Sequence, residues 1–203
     1  MIKCNVTACG IISNSAVERQ SKEGKPFLSF SITIPKAGSD GSGAELQVFV
    51  SAPGDKETMG QYSTGRKVKV NGTLYIRKLE DHTYYNLRSD GGIEFVKSTE
   101  EDALTGSMEF KGKIKGDITD RTNKNGHKFQ TFSAVSQDKD GEKVGWLWVR
   151  FLTPTPVEQP FFKPEAYVAI KGELRLHVYQ NNVNIECRTS SIEAWELPAA
   201  QKD

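Results

Sequence analysis

Two tryptophans and an arginine alternate with apolar residues in the stretch Trp146-Leu147-Trp148-Val149-Arg150-Phe151. Successive side chains of a β-strand point to opposite faces, so the apolar residues fill a core while Trp146, Trp148 and Arg150 face outward. Nucleic-acid bases stack on aromatic rings for about 1–3 kcal/mol each, and arginine binds phosphate or stacks on a base. The pattern predicts a face that binds a single nucleic-acid strand. A subunit interface is the alternative use of exposed aromatic side chains.

Other stretches predict the same mixture of basic and aromatic side chains on one face. Alternation places Arg175, His177 and Tyr179 outward in the second half of the chain, and Tyr75 and Arg77 outward in the first half. The first half has fewer outward aromatic residues, so weaker binding is expected there. The predicted phosphate-binding residues are Arg66, Arg77, Lys78, Arg150 and Arg175. The complete predicted nucleic-acid-binding set is Phe49, Arg66, Tyr75, Arg77, Lys78, Trp146, Trp148, Arg150, Arg175, His177 and Tyr179.

The sequence has no pattern typical of a catalytic or metal-binding site. Its three histidines, His82, His127 and His177, are widely separated and lack the His-x-x-x-His spacing of a metal site. No glycine-rich phosphate loop is present, and no carboxylate cluster has metal-site spacing. We therefore expect no metal, no cofactor and no enzymatic activity. The same observation disfavours a nuclease subunit.

The chain repeats its pattern once, at a period of about 100 residues, which exceeds the roughly 20–50 residues of solenoid repeats. Residues 24–31 match residues 126–133, and residues 69–76 match residues 169–176. A period of this length predicts a duplicated domain with its own core. The predicted boundaries are a first domain over residues 1–96, a polar linker over 97–107, a second domain over 108–197 and a short tail over 198–203.

Alternating hydrophobicity predicts five short strands in each domain. Residues 54–62 could form a short helix between the third and fourth strands, whereas the prolines of 153–164 predict an extended connection there. This order is typical of a small Greek-key barrel, and the oligonucleotide-binding (OB) barrel is the closest type. The predicted fold is therefore all-β, with two tandem five-stranded OB barrels. A sandwich or an SH3-like barrel would give a similar pattern.

Composition limits the classes of protein to which the chain can belong. Lysine and arginine number 27 against 26 acidic residues, a formal net charge of +1, which excludes a polybasic binder. Positive charges must then gather on one face if the chain binds nucleic acid. No apolar run reaches the roughly 18 residues of a membrane span, and residues 1–5 lack the basic and apolar regions of a secretory signal, so secretion is not expected. Three scattered cysteines indicate reduced thiols in a cytoplasmic protein.

The chain resembles the bacterial and phage single-stranded DNA-binding protein family. The similar elements are Gly10-Ile11-Ile12, the stretch 24–31 and the stretch 65–78, and the second half keeps Gly116-Asp117-Ile118 and Gly172-Glu173-Leu174-Arg175. The resemblance covers nearly the whole chain, as two family domains in tandem. It implies OB folds and non-enzymatic, sequence-tolerant binding of single-stranded DNA during replication or recombination, with RNA as a possible ligand.

The resemblance also bears on assembly and location. Family members usually carry one such domain per subunit and form tetramers, so two domains per chain imply either a homodimer with four OB folds or a monomer. Residues 198–203 lack the acidic tip through which many members recruit partners, so such recruitment is not expected. The implied location is the cytoplasm of a bacterium or a phage-infected cell. A protein-interaction or assembly module, with its aromatic residues at an interface, is the alternative function.

Overall fold

The computed structural model describes residues 2–80, 82–140 and 143–196, and most of these lie in β-strands. The predicted all-β class is confirmed. The described residues form ten strands and one helical turn: β1 (Ile2–Gln20), β2 (Pro26–Ala37), β3 (Gly43–Ala52), α1 (Lys56–Met59), β4 (Lys67–Leu79), β5 (His82–Phe95), β6 (Ala103–Thr122), β7 (Lys128–Asp140), β8 (Lys143–Thr153), β9 (Tyr167–Tyr179) and β10 (Asn182–Ala194). Within the described ranges, no helix is both long enough and apolar enough to cross a membrane.

Strand pairing closes each group of five strands on itself. The first barrel runs β1-β2-β3-β5-β4 and returns to β1, and the second barrel runs β6-β7-β8-β10-β9 and returns to β6. The β3–β5 and β8–β10 pairs are parallel, and the remaining pairs are antiparallel. This circular order is that of the five-stranded Greek-key barrel.

Apolar side chains of alternate strand residues fill each barrel. In the second barrel, the ring of Phe151 lies 4.9 Å from that of Phe110 and 5.0 Å from that of Phe132. The chain between the third and fourth strands covers one end of each barrel, where Tyr62 stacks on Phe30 and Phe162 packs edge-on against Phe132. Aromatic contacts of this kind stabilise a core beyond the area they bury.

The two barrels differ in the structure of the chain between their third and fourth strands. In the first barrel α1 forms one turn, and the side chain of Asp55 accepts hydrogen bonds from the backbone N–H groups of Glu57 and Thr58 at 3.1 Å. In the second barrel, residues 154–166 contain turns and no helix. The short helix of the first connection and the lack of a helix in the second both agree with the sequence-based expectation. In the second connection the prolines remove N–H groups that a helix needs.

The segment between the barrels is shorter than the predicted linker of 97–107. Strand β6 already begins at Ala103, and the residues from Ala103 onward pair with β1. Ahead of it, the buried ammonium group of Lys67 lies 3.1 Å from the carboxylate of Asp102 and also donates to the backbone oxygen of Glu100. Between β5 and β6, only residues 96–102 therefore lie outside the strands. The division into two independently folding domains stays a prediction.

A local two-fold axis relates β1 and β6. The N–H group of Ile12 donates to the backbone oxygen of Arg66, and that of Ile114 donates to Ala166 at the same place in the second barrel. This equivalence matches Asn5 to Ser107, and these two residues are direct cross-strand partners. A strand that pairs with its own counterpart in this way forms an isologous contact, as in a symmetric dimer. The two barrels thus form an internal pseudo-dimer.

A second junction joins the barrels away from β1 and β6. The guanidinium of Arg77 in β4 forms an ion pair of 2.8 Å with Asp138 in β7. The carboxylate of Asp40, between β2 and β3, accepts the backbone N–H of Gln180 from the turn between β9 and β10. Hydrogen bonds from the Ser42 side chain, first, and then from the Gln180 backbone lower the pKa of Asp40 to about 2. Asp40 is therefore ionised at neutral pH and holds this turn as an acceptor.

Candidate nucleic-acid interface

The predicted outward face of β8 is present in the structure. Trp146 and Trp148 expose 49% and 56% of their surface, and Arg150 is exposed beside them, whereas the intervening residues are buried. Large aromatic side chains at this exposure leave much of their ring surface open to a ligand. The alternation along β8 therefore correctly separated the core side chains from the solvent-facing ones.

The neighbouring strands extend this face. Arg150 lies opposite Glu186 on β10, and His177 on β9 lies opposite Asn184 on β10. Tyr179, at the end of β9, is 54% exposed. We call this surface the second-barrel face: the outward side chains of β8, β10 and β9. It brings together six of the predicted residues, Trp146, Trp148, Arg150, Arg175, His177 and Tyr179.

The second-barrel face forms one wall of a cleft of about 690 Å³ between the two barrels. The predicted residues Lys78, Trp148, Arg150, His177 and Tyr179 line it. The sequence did not single out its other polar residues, Ser39, Thr83, Ser133 and Asn184. Among the described residues that line this inter-barrel cleft, none is acidic. The chain is nearly neutral, so this is the local gathering of positive charge that nucleic-acid binding requires.

Two glutamates lie outside the cleft lining and partly neutralise the arginines of the second-barrel face. Glu186 lies between two of them, at 4.0 Å from Arg150 in an ion pair and directly across the strands from Arg175. Glu173 forms a closer ion pair with Arg175, at 2.9 Å. A phosphate that binds either arginine must compete with these carboxylates, so the positive charge available to a ligand is smaller than the sequence indicates.

Four predicted site residues lie neither on the second-barrel face nor in the lining of the inter-barrel cleft. Arg66 directly precedes β4 and is not among the residues that line the cleft, whereas Lys78 lies near the end of the strand and does line it. The guanidinium of Arg66 lies 3.8 Å from the ring centroid of Phe95. Phe49 and Tyr75 both neighbour Asn86 on the outer face of the first barrel.

The fourth of these, Arg77, lies in an ion pair that the sequence did not predict. It points outward from β4 as expected, but its guanidinium is ion-paired with Asp138 of the second barrel and is only 30% exposed. Breaking that pair would leave Asp138, whose side chain is 12% exposed, without this charged partner. Arg77 is therefore a contact between barrels, and its role in binding phosphate stays a prediction.

The two barrels differ at equivalent positions of this face. Phe49 lies opposite Ser31 and Asn86, and Arg150 lies opposite Ser133 and Glu186. This register matches Arg150 to Phe49, and therefore Trp148 to Gln47 and Trp146 to Glu45. The first barrel thus carries an amide and a carboxylate where the second barrel carries two indole rings. The expectation of fewer aromatic residues on the first half is confirmed by the positions themselves.

Thiol and metal chemistry have little support in this structure. Cys4, Cys9 and Cys187 are free and buried. Burial is the largest cause that raises the pKa of the Cys4 and Cys187 thiols to about 12, so both stay protonated and unreactive at neutral pH. Within residues 2–80, 82–140 and 143–196, no group of three or more histidine, cysteine or acidic residues is placed to hold a metal ion.

Comparison with known proteins gave structural matches only. No protein-family model matches the chain, and no curated protein sequence matches it. The chain is similar in structure to the wild-type single-stranded DNA-binding protein of Thermus aquaticus, with 14% identity, a TM-score of 0.49, and coverage of 100% of this chain and 97% of that one. A deletion variant of that protein matches with 13% identity, a TM-score of 0.47, and coverage of 99% and 98%. A small single-stranded DNA-binding protein from Streptomyces coelicolor matches with 17% identity, a TM-score of 0.37, and coverage of 49% and 95%.

Proposed function

We propose that this chain is a non-enzymatic single-stranded DNA-binding protein that tolerates any base sequence. The strand lies on the second-barrel face, where bases stack on the exposed rings and phosphates contact the cations between them. Stacking is sequence-tolerant because every base has a π-face, and phosphate contacts carry no sequence information. Such a protein protects exposed strands during DNA replication or recombination, and the cytoplasm of a bacterial or phage-infected cell fits its reduced, buried cysteines.

The observation that carries this proposal is the composition of the second-barrel face. Trp146, Trp148 and Tyr179 are exposed there, with Arg150 and His177 placed between or beside them. Basic residues interleaved with stacking rings are the combination that sequence-tolerant single-strand binding requires. A protein-interaction module would also use exposed rings, but it has no need of an inter-barrel cleft whose described lining lacks acidic groups.

The proposal is tested by titrating the full chain with an oligothymidine strand while following tryptophan fluorescence. We expect quenching, preference for the single strand over a duplex of equal length, and an affinity that falls with salt. Each phosphate contact with a single strand contributes about 0.7 to the slope of log K against log salt concentration. No binding, together with a molecular mass that drops when Trp146 and Trp148 are replaced by alanine, would favour the interaction module instead.

Removing the carboxylate that faces the arginines should strengthen binding. In Glu186→Gln the side-chain shape is kept, but Arg150 and Arg175 lose the negative charge between them. Surface ion pairs are worth up to about 1 kcal/mol, and the pair of Glu186 with Arg150 is long at 4.0 Å, so we expect binding about two- to fivefold tighter at low salt and a steeper salt dependence. Glu193→Gln, at the far end of β10, is the matched control and should leave both quantities unchanged. An affinity for oligothymidine that is weaker in Glu186→Gln would show that these arginines do not bind phosphate.

A further inference from the structure

The inter-barrel cleft is built by both halves of the chain, although the aromatic face belongs to the second barrel alone. From the second barrel come Trp148, Arg150, His177 and Tyr179. From the first barrel come Lys78 at the end of β4, Thr83 at the start of β5, and Ser39. The cleft volume of about 690 Å³ lies within the roughly 300–1,000 Å³ of pockets that hold small ligands.

We propose that this cleft is a composite nucleotide subsite, in which one nucleotide of the bound strand is held between the two barrels. Its base lies against the ring of Trp148 or Tyr179, and its phosphate contacts Lys78 from the opposite wall. This inference rests on the proposed function and adds to it a role for the first barrel. The first barrel contributes a cation and a hydroxyl group to a strand that otherwise follows the second-barrel face.

The charges around the cleft support this placement. Arg77 precedes Lys78 on β4 but points to the other side of the strand, where Asp138 is its partner. Lys78 borders a cleft whose described lining has no acidic side chain. Arg150, on the opposite wall, is exposed and forms a long ion pair of 4.0 Å with Glu186. Two cations on facing walls suit a phosphate that passes between them.

The arrangement of the barrels also supports the composite nucleotide subsite. The wall that carries Lys78 is fixed to the second barrel at two places: Arg77 bonds Asp138, and the backbone of Lys78 packs directly against Gly145 at the start of β8. The Asp40 carboxylate holds the turn that follows Tyr179. The separation of the walls is thus set by contacts outside the cleft, which preorganises the cleft for a ligand.

The test compares Lys78→Met with Lys22→Met, which removes an exposed lysine from the turn between β1 and β2. Methionine keeps most of the apolar stem and removes the charge. We expect Lys78→Met to lower the salt slope for oligothymidine binding by about 0.7 and to weaken binding equally for all base sequences. Lys22→Met should match the wild type in both respects.

A double-mutant cycle extends the test across the barrels. If one nucleotide contacts Lys78 and the ring of Trp148 or Tyr179, a double variant that combines Lys78→Met with Trp148→Ala or with Tyr179→Ala should lose affinity by a factor that differs from the product of its two single losses. Single losses that simply multiply in both cycles, or a Lys78→Met slope equal to that of the control, would overturn the composite subsite while the second-barrel face remained the binding surface. A wild-type chain that fails to bind oligothymidine would overturn both proposals.

Discussion

Replacing Trp148 by alanine should weaken the binding of oligothymidine about 5- to 150-fold, which corresponds to the roughly 1–3 kcal/mol that one stacked base contributes. Trp148 is the most exposed large hydrophobic side chain in the described chain, at 56%, and it lies both on the second-barrel face and in the inter-barrel cleft. Trp146→Ala should cost a similar factor. The measurement is a fluorescence-polarisation titration with labelled oligothymidine, which does not depend on the tryptophans that are removed.

The matched control for this prediction is Trp195→Ala. Trp195 lies beyond the end of β10, where its ring packs edge-on against Tyr167 at the start of β9. Tyr167 and Tyr179 are the first and last residues of β9, so this contact is far from the cleft. Trp195→Ala should therefore leave the affinity near that of the wild type. Equal losses in Trp195→Ala and Trp148→Ala would indicate a general effect on the fold instead of a stacking contact.

Trp148 also shows how far sequence reasoning reaches. The two-residue period of a strand determines which face a side chain occupies, so the exposure of Trp146 and Trp148 followed from alternation with three apolar neighbours. The same reasoning placed Arg77 outward, and it does point outward. Its partner Asp138 lies 61 residues away on another barrel. No local pattern encodes a contact between residues so far apart in the sequence, so this ion pair was not predicted.

The extent of the linker was missed for a related physical reason. Residues 103–107 read Ala-Leu-Thr-Gly-Ser, with the small and polar composition of a connection. In the structure they pair with β1, and from Gly106 onward β6 also pairs with β9. Backbone hydrogen bonds on both edges hold this strand, and those bonds form with any side chain. The inter-barrel cleft likewise brings together residues that are far apart in the sequence. Lys78 was predicted as a site residue from its charge, whereas nothing in the local sequence marked Ser39 or Thr83.

A single methyl group at Gly145 should disturb the way the barrels meet. A Cβ atom built there would lie 1.6 Å from the backbone oxygen of Lys78 and 2.6 Å from its carbonyl carbon. Both groups belong to the backbone, so no side-chain rotation can relieve the clash, and one barrel must shift against the other. Overpacking of this kind costs about 1–3 kcal/mol. We expect Gly145→Ala to lower the free energy of unfolding by that amount, measured by urea denaturation.

The same substitution separates a composite site from a site on one barrel. The side chains of Trp146, Trp148 and Arg150 stay on β8 in Gly145→Ala, but the wall that carries Lys78 has to move. If the cleft holds a nucleotide, oligothymidine binding should weaken and the salt slope should fall towards that of Lys78→Met. Gly60→Ala is the control, because a Cβ atom there has no neighbour within 4 Å and the residue already has a helical φ of −60°. If Gly145→Ala loses stability but binds as tightly as Gly60→Ala, the strand is held by the second barrel alone, because displacing the opposite wall would then have left its contacts unchanged.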